Sequence, residues 1–510
     1  MEVFYNLMKG FAVASEPLNL LFCFLGVFIG TLIGVLPGIG PTATVALLLP
    51  ITFSVPPVSA IILLAGVYYG SMYGGSTTSI LMNLPGESAS IVTCLDGYQM
   101  AKAGRAGPAL GIAAFGSFIA GTIALFGLVW LALPLANAAL RMGPPEYFTL
   151  MCLGIIVLIF MARGSMVKSL IMAAVGLALS FIGIDTISGK PRFTFGIPTL
   201  WDGIGLVPLV MGLFGVSEVL LNIGEGVTQR YVMETGIKGL LPTLRDWKDS
   251  LPSILRGSLV GFFLGVLPGS GAVIASFVSY TLEKKLSKKP ERFGTGMIEG
   301  VAGPEAANNA ASTGAFIPLF SLGIPSNSVI AILLGALIIH GVRPGPSLIS
   351  ENLDVFWGTV ASMYIGNVFL VILNLPLIGI WVKILKIPYQ VLFPLILLFC
   401  IIGTFSITNN LVDVSLMIVF GVIGYFLRRL DYEIAPLILS FVLGPLMELN
   451  LRQSLILSNG SFGIFFKRPI SAAFLLIGCA LFFPIVWSFM KRRWWGRYQV
   501  VINQKGRKEE

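Results

Sequence analysis

Two stretches of this chain share a pattern that could do chemistry: GTLIGVLPGIG at 30–40 and GFFLGVLPGSG at 261–271, identical at seven of eleven positions. In each, a Pro-Gly pair interrupts an apolar run that otherwise reads as helix. Proline removes a backbone donor and clashes with the preceding turn, and glycine frees φ, so the pair breaks the helix where it stands. A break inside an apolar bundle exposes N–H groups, and the N-terminus of the following helix carries partial positive charge suited to a carboxylate. On this reading Pro37, Gly38, Ile39, Gly40 and Thr42 in the first stretch, with Pro268, Gly269, Ser270 and Gly271 in the second, form a substrate-binding site for an anion. The plainer alternative is that each pair only kinks a helix for packing. Recurrence at matched places favours the site.

A second constellation is made of GGSTTSILMNLPGES (74–88) and EGVAGPEAANNAAST (299–313), the latter followed by GIPSNS. Ser76, Thr77, Asn83, Asn308, Asn309, Ser312 and Asn327 offer neutral oxygens and Glu305 a carboxylate. Oxygen donors of this kind suit a hard cation such as sodium, and an intramembrane carboxylate can also carry a proton. The cation-coupling residues are therefore expected among these eight. Small polar residues also hold membrane helices together without any ion, which is the competing reading. The single histidine, His340, is either a proton relay or an interfacial hydrogen-bonding group.

No G-x-x-x-x-G-K-[ST] loop, H-E-x-x-H pair, G-x-S-x-G elbow or Cys/His cluster of metal spacing occurs in the sequence. An enzyme reading has no site, and no organic cofactor is expected.

The elements that must position these residues follow from composition. Apolar residues make up 56% and charged residues 11% of the 510 positions, against roughly 25% charged in an ordinary soluble domain. Apolar runs recur along nearly the whole length, long enough to cross a hydrocarbon core of about 30 Å as helices. The fold class is an all-α polytopic membrane protein in a lipid bilayer, with about 11–12 membrane segments, some of them re-entrant or broken. The excess of 33 basic over 24 acidic residues lies in short clusters between apolar runs, which is membrane-topology signal; nucleic-acid binding is not expected. The cysteines are scattered in or beside apolar runs and read as small buried hydrophobes. The N-terminal run has no convincing cleavage site, so no removed leader is expected.

The matches between halves continue in order: LPGES at 84–88 with IPSNS at 324–328, Gly107-Pro108 with Gly345-Pro346, Gly121-Thr122 with Gly358-Thr359, Pro208 with Pro436. They imply two transmembrane repeats, 18–222 and 254–450, joined by a polar cytoplasmic linker at 223–253. A final transmembrane helix at 469–490 and a cytoplasmic basic tail at 491–510 follow. Basic residues flank 254–283 on both sides, and Pro268-Gly269 divides it into arms of about 14 residues, each rising about 20 Å. A re-entrant hairpin with LPGSG at its tip is expected, and an odd number of crossings then inverts the second repeat. Counting each Pro-Gly segment as a full kinked crossing gives parallel repeats instead.

The stretches GVLPGIGPTATVALLLP, YGGSTTSILMNLPGESASIVTCLDGYQMAKAGRAG, GVLPGSGAVIASF, IEGVAGPEAANNAASTGAFIPLFSLGIP and LLGALIIHGVRPGP together resemble the large membrane subunit of the tripartite tricarboxylate transporters. The resemblance implies a multi-pass permease of the bacterial inner membrane that takes up carboxylates on a sodium or proton gradient. It also implies two partners, a small four-helix membrane subunit and a periplasmic solute-binding protein. The family's elements fall on Pro37, Gly38, Gly40, Asn83, Pro85, Gly86, Asp96, Gly97, Pro268, Gly269, Glu299, Pro304, Glu305, Asn308, Asn309 and Pro325. Ser326 and Arg343 depart from its pattern, where Gly and a neutral polar residue are usual. The alternatives are the membrane half of an ATP-driven importer and a passive channel.

Overall fold

The computed structural model describes residues 2–36, 40–161, 165–185, 187–224, 239–269, 271–384 and 389–481. Pro37, Gly38, Ile39, Ser270, most of the linker and the basic tail lie outside these residues.

The described residues are mainly helical. In order it runs α1 Glu2–Ala14, α2 Pro17–Val35, α3 Pro41–Thr52, α4 Pro57–Met82, α5 Ile91–Lys102, α6 Ala106–Ala139, α7 Pro144–Met161 and α8 Met166–Ser180. A short antiparallel ladder follows, β1 Gly183–Ile184 with β2 Pro191–Arg192. Then come α9 Leu206–Val210, a π-helical turn Met211–Val216, α10 Ser217–Gly224, α11 Leu244–Val266, α12 Gly271–Leu286, α13 Glu299–Gly314, α14 Phe316–Leu322 and α15 Ser328–Ile339. The rest is α16 Pro346–Glu351, α17 Leu353–Asn374, α18 Ile378–Ile384, α19 Tyr389–Thr408, α20 Leu411–Arg429 and α21 Ala435–Leu457, with a further short apolar helix beginning at Pro469. Among the described residues, seven helices are long and apolar enough to cross a membrane, and six shorter apolar helices accompany them.

Lipid tails are as apolar as leucine, so helices in a bilayer associate mainly by close packing and hydrogen bonds. Two glycine stripes provide that packing. On α2, a Cβ added at Gly26, Gly30 or Gly34 would lie 2.5, 2.6 or 2.3 Å from the carbonyl oxygens of Leu63, Val67 and Ser71 in α4. On α11, a Cβ at Gly257, Gly261 or Gly265 would lie 2.3, 2.2 or 2.3 Å from the carbonyl oxygens of Gly303, Ala307 and Ala311 in α13. Residue numbers rise together in both pairs, so each pair is parallel. The same four-residue glycine spacing builds the same contact in each half of the chain.

The helix ends also correspond. Helix α4 stops at Asn83 in the left-handed region (φ 56°) and α14 at Gly323 (φ 70°). Four residues beyond each lies a side-chain cap: Glu87 accepts from the Ala89 N–H at 2.7 Å, and Asn327 Oδ1 accepts from the Ile330 N–H at 3.0 Å.

Over its described residues, the segment expected to be a re-entrant hairpin brings two helices side by side; Ser270 at the expected tip lies outside those residues. Near the far end of α12, Glu283 accepts from Ser253 Oγ at 2.6 Å and from Arg256 Nε at 2.8 Å, so α12 runs back along α11. The arms are unequal, however. Helix α11 has 23 residues and starts at Leu244, inside the polar stretch read as linker, because Thr243 and Asp246 form a reciprocal capping box. Elsewhere, Thr52 at the end of α3 meets His340 at the end of α15, with 3.3 Å between Thr52 Oγ1 and His340 Nε2. That contact makes His340 a hydrogen-bonding partner at a helix end.

Candidate functional site

A cavity of about 510 Å³ lies between the start of α3, the start of α12 and the turn before α15. Gly40 and Thr42 line it from the start of α3, Gly269 and Gly271 from the start of α12, and Asn327 and Ser328 from the start of α15. The N-termini of three helices, α3 at Gly40, α12 at Gly271 and α15 at Asn327, therefore border one space. Their aligned peptide dipoles make it hospitable to negative charge. The hydroxyls of Thr42 and Ser328 lie 3.2 Å apart, joining sequence positions from the two halves.

The glycines differ in what they do. Gly269 has φ 128°, which an L side chain rarely adopts, and its N–H donates to Ser326 O at 2.8 Å. That amide is thus already bonded, and it ties the hairpin tip to the break before α15. Gly40 has φ −77° and open space around a would-be Cβ, so its backbone does not demand glycine. Gly271 does require a small residue, because a Cβ there would lie 2.9 Å from Leu264 O.

Beside the cavity is a buried polar cluster. Glu305, fully buried in α13, accepts from Ser76 Oγ at 2.5 Å and from the Thr93 hydroxyl. Asn308, one turn on, donates from Nδ2 to Glu87 Oε1 at 3.1 Å, while its Oδ1 is buried with no hydrogen-bond partner. Glu87 also lines the cavity, so it is shared between the two sites. The remaining expected residues are placed apart from Glu305's carboxylate. Asn309 donates to Ser117 Oγ at 2.7 Å and to Glu305 O at 3.0 Å, and Ser312 donates to Asn309 O at 2.9 Å. Thr77 is buried with Ser117 in a narrow gap against α6, Asn83 is exposed at its helix end, and Asn327 bonds Tyr68 OH at 2.9 Å in the main cavity.

Sequence reasoning missed Glu87, Thr93, Tyr68, Glu218 and Arg428. Glu87 had a signal, since it is the fourth residue of the LPGES stretch that pairs with IPSNS. Arg428 was legible only as a basic topology mark; in the structure it forms an ion pair with Glu218 on the cavity wall. Asp96, within one of the stretches that carry the resemblance, is a structural clamp: it accepts the N–H groups of Gly294, Gly296 and Met297 at 2.8–2.9 Å and the Tyr280 hydroxyl at 2.9 Å.

Interrupted apolar helices converging on one cavity inside a multi-pass bundle are the architecture of a membrane transporter. The family model described as the tripartite tricarboxylate transporter TctA family matches residues 20–439, and the chain belongs to that family. It is 52% identical over 480 residues, 94% of this chain and 95% of the relative, to an uncharacterized 52.8 kDa protein in the TAR-I ttuC' 3' region of Agrobacterium vitis. An uncharacterized protein in the TAR-II ttuC' 3' region of the same organism is 56% identical over 218 residues, 43% of this chain and 90% of that protein. No solved structure matches the chain.

Proposed function

We propose that the chain is the large permease subunit of a binding-protein-dependent transporter that imports tricarboxylates or related carboxylates across a bacterial inner membrane, driven by a sodium or proton gradient. The observation that carries this reading is the convergence of three helix N-termini on one cavity of about 510 Å³. That volume suits a small polyanion, since ligand pockets span roughly 300–1,000 Å³. Placing an anion within an apolar bundle is costly unless fixed dipoles or charges meet it, and helix ends do so with little reorganisation.

The cation acts at the neighbouring cluster. Glu305, Asn308, Ser76 and Thr93 supply carboxylate, amide and hydroxyl oxygens, and Glu87 connects them to the substrate cavity. The halves 18–222 and 254–450 act as inverted repeats, a reading supported by the matched glycine stripes and helix-end caps. The partners are a small four-helix membrane subunit and a periplasmic solute-binding protein that delivers the anion. No enzymatic step is involved.

The test is uptake of labelled citrate into vesicles containing the permease and its small partner, fed by the loaded binding protein. Uptake that follows an imposed sodium or proton gradient without ATP supports the proposal. A requirement for ATP, or equilibration indifferent to any cation gradient, would replace it with the importer or channel reading.

A further inference from the structure

Arg428 stands in the last turn of α20, where its guanidinium pairs with the Glu218 carboxylate of α10 and lies 5.5 Å from the centre of the Phe214 ring. All three residues line the cavity. Its neighbour Arg429 does not, and stacks on Tyr425 instead, 5.4 Å from the ring centre.

The base beneath Arg428 is rigid. Gly421, Gly424 and Arg428 follow one another at i, i+3 and i+7, on one face of α20. A Cβ at Gly421 would lie 2.4 Å from Val216 Cγ1, and one at Gly424 3.0 Å from Ser217 Cβ. Gly212 reciprocates, since a Cβ there would lie 2.5 Å from Met417 O. Helix α20 is thus pressed against the π-helical turn Met211–Val216, and it is this turn and the start of α10 that carry Phe214 and Glu218 to the cavity. Such turns occur often at functional sites.

We propose that Arg428 pairs with a second carboxylate of the transported anion, while the helix N-termini hold the first, so that the site selects di- and tricarboxylates over monocarboxylates. This rests on the reading of the cavity as the substrate site. A guanidinium presents a planar fork that matches a carboxylate with two hydrogen bonds, which a lysine cannot do. Glu218 is chemically the same partner as the incoming group. Exchange of one carboxylate for another never leaves the partly buried guanidinium without a counter-charge, which is the costly arrangement. The displaced Glu218 keeps a donor, because Asn222 Nδ2 lies 3.3 Å from its Oε1. Glu218 and Phe214 are positioning residues; Arg428 touches the substrate.

The experiment is equilibrium binding of citrate, succinate and butyrate to the full-length protein in lipid nanodiscs. Wild type should bind citrate and succinate well above butyrate. Arg428→Gln should weaken citrate and succinate by at least about 30-fold, the scale of a lost charged partner, and leave butyrate within about 3-fold, collapsing the selectivity. Arg428→Lys should give an intermediate loss, Arg429→Gln none, and Glu218→Gln should tighten citrate several-fold by removing the internal competitor. Should Arg428→Gln fail to fold, the lysine variant and Glu218→Gln carry the test. Unchanged citrate affinity in Arg428→Lys and Glu218→Gln would overturn this inference alone. Failure of wild type to bind any of the three acids would overturn the reading of the cavity, and this inference with it.

Discussion

Asn308 reaches from α13 to Glu87 on the turn after α4, donating from Nδ2 to Oε1 at 3.1 Å. That bond ties the cavity wall to α13, the helix on which the buried Glu305 sits one turn earlier. On the proposed function, a cation at Glu305 and an anion in the cavity would both act on α13.

Asn308→Ala should weaken cation activation of uptake by on the order of tenfold, the equivalent of about 1.4 kcal/mol, with little change in folding. The reason is that the variant removes the unpartnered Oδ1 and the bond to Glu87 together. The measurement is the cation dependence of uptake in vesicles. An activation curve that coincides with wild type would assign Asn308 to packing.

The Ser253–Arg256–Glu283 network closes the hairpin of α11 and α12, so both outer ends should lie on one side of the membrane. Lys248 and Lys288 are exposed there. Cysteines substituted for them, in a protein without the native cysteines, should both react with an impermeant maleimide added from the cytoplasmic side only. Reaction from opposite sides would rule out the inverted-repeat topology.

Two glycines of the breaks should respond in opposite ways to alanine. A Cβ at Gly86 would lie 2.0 Å from Gly34 O, so Gly86→Ala should force the helices apart, lose roughly 1–3 kcal/mol and lower Tm by several degrees. Gly40 meets nothing within 4 Å, and Gly40→Ala should leave Tm near wild type. Thermal melting of the two purified variants decides it; equal Tm values would mean that the close approach is not required.

Much of this was legible in the sequence because helix breaks leave local marks. The second Pro-Gly pair and the polar stretch holding Glu305 and Asn308 are marks of this kind, and they pointed to the break before α12 and to the polar cluster around Glu305. What was not legible depends on distant chain segments. Glu218 and Arg428 are 210 positions apart and on their own look like interfacial charges. Thr93 reaches Glu305 only because α5 folds back beside α13. Asn83 was read as a ligand from its residue type, yet its left-handed backbone turns it into a helix terminator. The start of α11 was misplaced because a capping box in a charged stretch looks like linker until the helix is seen.

A cluster away from the cavity supplies a pH prediction. Hydrogen bonding from Arg452, joined by the backbone N–H of Ile187, holds the Asp185 carboxyl well below the usual carboxylate range. A depressed folded-state pKa contributes stability above the unfolded value of about 3.9, and the contribution is lost as pH falls through the folded value. Asp185→Asn should therefore lower Tm by a constant amount between about pH 5 and 8, with the gap to wild type closing only as pH falls below about 3.9. A gap that closes at neutral pH would contradict the ion pair's role.

The most direct test of the cavity as the anion site uses Ser328, whose hydroxyl lies 3.2 Å from that of Thr42 between the two breaks. Ser328→Cys, in a protein without native cysteines, can be alkylated by a small maleimide while carboxylates are added. Slower alkylation with each transported di- or tricarboxylate, half-maximal at the concentration that half-saturates uptake, is the expected result. Alkylation at an unchanged rate in saturating transported substrate would contradict the site.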